Sequence, residues 1–232
     1  MSLLTLVQRA FKRVGLTEPT AAVSSTDENV IRMIELANEE GEELASRADW
    51  QALTREATHT TLAAESQGLM TAIAGSDFSY IKNDTFWNRT KDRRWYPVSD
   101  VDWQTMKATN ITGPVEYFRI RGGYLLAIPT PTAGETLAFE WVSKSWCETS
   151  GGTGQSAWAA DSDVGRLDES LMLMGLVWRW KKAQGLEYAE DFRQYEIRVE
   201  SAMQRDGAKP RINMAGTMVH GRNIPQGSWN IT

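Results

Sequence analysis

Histidine, cysteine and paired carboxylates are the side chains that most often carry chemistry, and few of them here have the spacing for it. The histidines are His59 and His220, and the one cysteine is Cys147. A metal site built from histidine and cysteine takes roughly four ligands, more than this set holds. A thiol nucleophile would have to be Cys147 with His59 or His220 as its base, and no catalytic signature surrounds any of the three. A single cysteine also excludes an intrachain disulfide, so a plain core or surface thiol is the expectation. Asp161 with Asp163, and Asp168 with Glu169, read as acids at helix N-termini, where the backbone dipole favours negative charge. The run SGGTGQS at 150–156 is rich in glycine, yet no Lys-Ser or Lys-Thr pair follows it. Its surroundings also lack the strand–loop–helix spacing of a phosphate cradle. The sequons at Asn88, Asn110 and Asn230 are chance matches in a chain without a secretion signal. These residues predict no enzyme, no metal and no cofactor.

The frame that would have to position any site is an ordinary globular one. With 232 residues the chain suits one sizeable core or two small ones. Ten tryptophans stand out, a residue type common both in cores and in protein interfaces. No run nears the ~18 apolar residues that span a bilayer. The start, MSLLTLVQRAFKRVG, is apolar and then basic, the reverse of a signal peptide, so a cytosolic setting is expected. The net charge is −5, and the residues after Asp206 carry Lys209, Arg211 and Arg222 with no acid. Removing those three cations leaves the body near −8. Such a body resists tight binding to phosphate backbones without preventing DNA from passing beside it.

Leu167 to Gln204 organises the chain. Leu167, Leu171, Met174 and Trp178 recur on one helical face, and Tyr188, Phe192, Tyr195 and Val199 repeat the rhythm. Gly185 between them, preceded by Lys181 and Lys182, predicts a left-handed stop and an antiparallel helical hairpin. Its apolar stripes need cover from elsewhere. Leu3, Leu4, Leu6, Val7, Ala10, Phe11 and Val14 give a first helix that stops at Gly15. A second, capped by Thr26 or Ser25, runs to about Ala48 along a seam of Val30, Ile34, Ala37, Gly41, Leu44 and Ala48. Its outer face carries Glu35, Glu39, Glu42 and Glu43. That face is either simply solvated or turned toward a negatively charged polymer.

From Gln51 the period changes to that of strands. REATHTTL predicts a strand, and QGLMTAIAGSDF a turn or short helical piece ending near Gly75. DTFWNRT and RWYPVS form a hairpin around KDR, and Ser99 caps a brief helix, DVDWQTMKA. EYFRIR and YLLAIP flank Gly122-Gly123, a two-residue turn that wants positive φ. ETLAFEWV follows as a strand with Leu137, Phe139 and Trp141 on one face. The expectation is an antiparallel, hairpin-rich sheet between helices. The residues beyond the helical hairpin have no period and read as an extended arm.

Read together, ANEEGEELASRADWQALTREA, NDTFWNRT, RWYPVS, FRIRGGYLLAIPTPTAGETLAFEWVSKSWC and LDESLMLMGLVWRWKKAQGLEYAEDFRQYE carry a family resemblance. The chain resembles the head-to-tail adaptor proteins of short-tailed phages, of the tail tubular protein A or gatekeeper type. The likeness spans roughly Glu28 to Asp206 and rests on the order of segments. Its tokens are Arg-Ala-Asp-Trp at 47–50, Asn-Asp-Thr-Phe-Trp at 83–87 and Arg-Gly-Gly-Tyr at 121–124. The resemblance implies an α+β fold: a helical bundle from N- and C-terminal helices (1–50 and 163–206) with an inserted antiparallel β-rich domain (51–147). A flexible loop (148–162) and an extended C-terminal arm (207–232) complete the expected layout.

It further implies a virion protein of the neck, assembled in the host cytoplasm into a homo-dodecameric ring between the portal protein and the tail nozzle protein. DNA would pass through the channel without specific binding. In this family the arm docks on the portal, so Lys209, Arg211, Ile212, Met214, Met218, Ile224 and Trp229 are the expected portal contacts. Glu35, Glu39, Glu42 and Glu43 are the expected channel-facing acids, and no catalytic residues are implied. A head-completion or stopper protein is the nearest alternative. A soluble regulator that binds nucleic acid or protein through a basic arm is a more distant one. Three cations fall short of the ~6–10 phosphate contacts that give strong salt-dependent DNA binding.

Overall fold

The computed structural model describes residues 1–109 and 113–207. Helix α1 (Leu3–Val14) follows Ser2, whose hydroxyl accepts from the Thr5 amide, and it stops at Gly15. Helix α2 (Glu28–Ser46) buries Val30, Ala37, Gly41 and Leu44 of the expected seam, with Met33 buried in place of Ile34, which is half-buried like Ala48. Its cap is Asp27 and not Thr26 or Ser25. The Asp27 carboxylate takes the Asn29 amide at 2.8 Å, and the Ser25 hydroxyl is left to accept from the Asp27 amide.

Helices α5 (Glu169–Ala183) and α6 (Ala189–Arg205) form the expected hairpin. Gly185 has φ 69°, and the amides of Gly185 and Leu186 return to the carbonyls of Lys182 and Lys181. That reciprocal pair satisfies the last carbonyls of α5. The single apolar stripe expected of α5 is an underestimate. Met172, Leu173, Leu176, Val177 and Trp180 are buried along with Leu171 and Trp178, because α1, α2 and α6 all pack on this helix.

Between α2 and α5 runs the sheet. Its strands are β1 (Thr54–Thr60), β2 (Ser66–Leu69), β3 (Phe78–Ile81), β4 (Trp87–Asn88), β5 (Arg93–Pro97), β6 (Glu116–Arg121), β7 (Tyr124–Ile128) and β8 (Thr136–Ser143). A short α3 (Met70–Ile73) follows β2, and α4 (Asp100–Thr109) lies between β5 and β6. The order across the sheet is β1-β8-β4-β5-β6-β7-β2, with β3 also paired to β8. Both expected hairpins form. Arg121 pairs with Tyr124 across Gly122 (φ 58°) and Gly123 (φ 79°), and β4 pairs with β5. The sheet is nonetheless mixed and not wholly antiparallel: β5 and β6 are parallel, with Trp95 beside Glu116. The chain reaches β6 through α4, and a crossover of that length can bring it back in the same direction, which a tight turn cannot.

The stretch 148–162, expected as a flexible loop, contains structure. Strand β9 (Cys147–Glu148) pairs on one side with β10 (Gly154–Gln155) and on the other with β11 (Val164–Gly165). Trp158 within it is buried edge-on to Trp146 at 5.2 Å, and its amide donates to Asn38 of α2 at 2.9 Å. Strands of two residues are too short to show an alternating pattern, so the glycines dominate the sequence signal.

Two main apolar clusters result. One joins α1, α2, α5 and α6 with Trp146 and Trp158. The other fills the sheet with Phe86, Trp95, Phe118, Phe139 and Trp141, where Phe86 stacks on Phe118 at 4.4 Å and on Phe139 at 4.8 Å. Strand β8 serves both, sending Trp141 to the sheet cluster and Val142 to the helical one, as neighbours on a strand must. The tryptophans belong mainly to these cores. All of them are buried except Trp87, which is half-buried, and Trp229, which lies outside the described residues.

Candidate assembly surface

The surface with the clearest character is the outward side of α2. Glu35, Glu39 and Glu42 are exposed there and Glu43 is half-buried. They are not equivalent. Arg179 of α5, itself 5% exposed, reaches between the two helices and divides its guanidinium among three carboxylates. Its Nε donates to Glu40 at 2.8 Å, one Nη to Glu39 at 3.1 Å and the other Nη to Glu43. Arg47 extends the cluster to α6, donating to Glu43 at 2.5 Å and to Glu196 at 2.8 Å. The Tyr195 hydroxyl of α6 donates to Glu40 at 2.7 Å, and the Arg47 guanidinium lies 5.4 Å from the Tyr195 ring centre. Two of the four acids expected to face a channel therefore share a cation. Among the described residues, Glu35 and Glu42 have no ion-pair partner.

Burial and hydrogen bonding act oppositely on this cluster. Glu40 is fully buried, which lifts its carboxyl from 4.5 to about 7 despite the bonds from Tyr195 and Arg179. Burial also pushes Glu43 up, but bonds from Arg47 and Arg179 outweigh it and hold that carboxyl below its ordinary value. Burial disfavours the charge of Arg179, yet its bonds to Glu40 and Glu43 keep it charged. Sequence reading missed Glu40 and Arg179, although a signal for both exists. Glu40 falls in step with Met33, Ala37 and Leu44 on the buried seam, and Arg179 interrupts the otherwise apolar run LMLMGLVWRW. A charge where the period demands an apolar residue marks a buried pair.

The side chains singled out for chemistry are placed as structural groups. Cys147 is buried with its Sγ 3.3 Å from the Gln155 carbonyl, and burial pushes the thiol up to about 12, so it is not a thiolate at neutral pH. His59 lies opposite Leu137 in the large sheet, whereas Cys147 belongs to the small one. His220 lies outside the described residues, as do the arm positions Lys209, Arg211, Ile212, Met214, Met218, Ile224 and Trp229. Asp168 caps α5 through the amides of Ser170 and Leu171, with Glu169 in the first turn, as expected. Asp161 and Asp163 do not open a helix in that way. The Asp161 carboxylate accepts from the amides of Ala22 and Val23, and Asp163 accepts from those of Ala159 and Ala160. They pin loops because the α1 amides of Leu3 and Leu4 dock on their carbonyls and hold that segment against the bundle.

Other exposed apolar side chains lie on helices, among them Ile31 of α2, Val101 of α4 and Ile197 and Met203 of α6, and at turns. Leu69 and Tyr124 are cross-strand partners beside the Gly122-Gly123 turn, and Leu186, Tyr188 and Phe192 surround the α5–α6 link. A cleft of about 290 Å³ is lined by Leu44, Trp50, Arg166, Asp168, Leu171 and Asp206. Three of its charged groups are engaged, Asp168 in the α5 cap, Asp206 with the Gln51 amide and Arg166 with Glu148, and Arg205 also lines it. Among the described residues no helix is long and apolar enough to cross a membrane.

An outward acidic helix, a buried polar cluster beneath it and apolar turn tips suit a protein that contacts other proteins. The family model of the SU10 adaptor protein matches residues 1–220. The chain belongs to this family. Membership makes it a phage adaptor, a structural component of the virion. The matched span includes both helical segments, the whole sheet and residues 208–220. No curated protein matches the chain.

Proposed function

We propose that this adaptor joins head to tail without catalysis, as a homo-dodecameric ring between the portal protein and the tail nozzle protein. DNA passes through the ring without specific binding. The match to the adaptor family across residues 1–220 carries this reading. A cyclic ring uses heterologous contacts, one surface of a subunit against a different surface of its neighbour. The acidic outer side of α2 suits a channel wall, since like charge keeps phosphate backbones from sticking. On this reading Glu35 and Glu42 carry most of the field, and Glu39 and Glu43 less because Arg179 draws on both. The arm supplies portal contacts through Lys209, Arg211, Ile212, Met214, Met218, Ile224 and Trp229. An extended arm adds contact area without enlarging the body, at the cost of ordering it on assembly.

Capture by an immobilised portal ring tests this directly. The full chain should be retained and a chain lacking residues 207–232 should not, while both melt at similar temperatures. Retention of the shortened chain at full strength would remove the arm as the portal contact.

A further inference from the structure

The large sheet has two edges, and only one of them is blunted. Strand β2 is four residues long, and its register shifts between Ser66 and Gly68, an irregularity that spoils it as a template. Strand β1 closes the other end with seven residues in unbroken register, from Thr54 opposite Val142 to Thr60 opposite Thr136. The Thr61 amide donates to the Glu135 carbonyl, so the odd positions of β1 turn their backbone groups toward β8. Glu56, Thr58 and Thr60 therefore turn their N–H and C=O outward, and among the described residues nothing bonds them there. All three are exposed. The usual guards of an edge are missing, since β1 contains no proline and no bulge. Its full charges are engaged within the sheet, Arg55 over the Trp141 ring and Glu56 with Arg89. A regular edge of this kind takes up another strand.

We propose that in the free subunit residues 208–217 of the same chain pair with this edge as an added strand, parallel to β1. The position of Gly207 favours this occupant. Helix α6 ends at Asp206, whose carboxylate holds the Gln51 amide at 2.7 Å. A Cβ at Gly207 would lie 3.3 Å from the Gln51 Nε2, and Gln51 stands three positions before Thr54. The chain thus enters 208–232 at the head of the open edge, and a strand that follows the edge from there runs parallel to β1. About seven residues at ~3.3 Å each cover the edge, so 208–217 is long enough. Pro210 falls at the start of such a strand, a position where proline is tolerated. Ile212 and Met214 alternate with Arg211 and Asn213, as a strand with one covered face and one wet face requires. Strand β1 offers those two faces. Ala57 joins the sheet cluster opposite Phe139, while Glu56, Thr58 and Thr60 lie in solvent.

The pairing withholds Lys209, Arg211, Ile212 and Met214 from other contacts until the strand is drawn off, and leaves Met218, Ile224 and Trp229 to reach a partner. Site-resolved amide exchange on the full chain, dilute and without portal, tests it. The amides of Glu56, Thr58 and Thr60 should exchange at least about tenfold more slowly than in a chain lacking residues 207–232. Those of Arg55, Ala57 and His59, already turned to β8, should exchange alike in both. A second variant keeps the full length. Ile212→Pro with Asn213→Pro removes one amide of each strand parity and should release the same three β1 amides. Equal exchange at Glu56, Thr58 and Thr60 in the full and shortened chains overturns the proposal. Protection that grows with protein concentration also overturns it, by assigning the edge to a second copy. Protection that survives both prolines overturns 208–217 as the added strand. Portal capture enters none of these measurements, so the pairing and the proposed portal contact fail separately.

Discussion

Gly175 is the residue at which two local arguments oppose each other most sharply. Helix propensity alone favours alanine over glycine by about 1 kcal/mol in a helix interior. The Glu40 carboxyl occupies the place of the missing side chain, with its oxygens 2.2 and 2.3 Å from where a Cβ would stand. Overpacking of this kind costs about 1–3 kcal/mol, and here it also displaces a buried hydrogen-bonded carboxyl. Gly175→Ala should therefore destabilise the protein by at least about 2 kcal/mol in urea unfolding. A stabilised variant would mean that Glu40 does not sit against α5. The acids on α2 were visible in the sequence by their spacing. Their inequality was not, because it depends on Arg179, which lies 136 positions or more away along the chain.

At the level of elements, short-range chemistry explains what was readable. The Ser99 hydroxyl accepts the Asp102 amide at 3.2 Å and bonds the Asp102 carboxyl at 2.7 Å, a local cap that four residues encode. Ser99→Ala should cost about 1 kcal/mol and fray α4 without altering the bundle, a loss measurable as faster amide exchange confined to residues 100–109. Exchange unchanged in α4 would show that its packing of Trp103 on Leu126 and Ile128, and not the cap, holds the helix. The hairpin at Gly122-Gly123 and the stop at Gly185 were legible for the same reason, since each is set by neighbours in sequence. The parallel pairing of β5 with β6 was not, because strand direction after a crossover is chosen by the partner strand. The little sheet of β9, β10 and β11 escaped as well, its strands being shorter than any period.

The outer side of α2 is acidic, and the sequence after Asp206 carries three cations and no acid. Neutralising that face by Glu35→Gln and Glu42→Gln should slow genome ejection in assembled particles, because reduced like-charge repulsion lets DNA linger at the wall. Adding Glu39→Gln and Glu43→Gln should slow it little further while destabilising the fold, since those two also hold Arg179 and Arg47. Equal ejection rates for wild type and the double variant would remove α2 from the channel wall. The tryptophans illustrate the difference in scale. Their number suited cores and interfaces alike, but the fold uses most of them to fill its cores, where Trp146 fits over Gly41 and edge-on to Trp158. Among the described residues the exposed apolar side chains are scattered instead, from Ile31 on α2 and Ile197 and Met203 on α6 to Leu69, Tyr124, Val101 and the α5–α6 turn.

The sequence by itself determined the class of fold, most of the helices and hairpins, the scarcity of catalytic side chains and the family to which the order of segments belongs. Periodicity, caps and turn residues act over a few positions and so leave a readable trace. Only the tertiary structure decided which carboxylates are buried, which cation they share, how the strands around α4 run and where the tryptophans go. Those outcomes come from side chains far apart in the chain competing for one dry volume, and no local pattern records which of them wins.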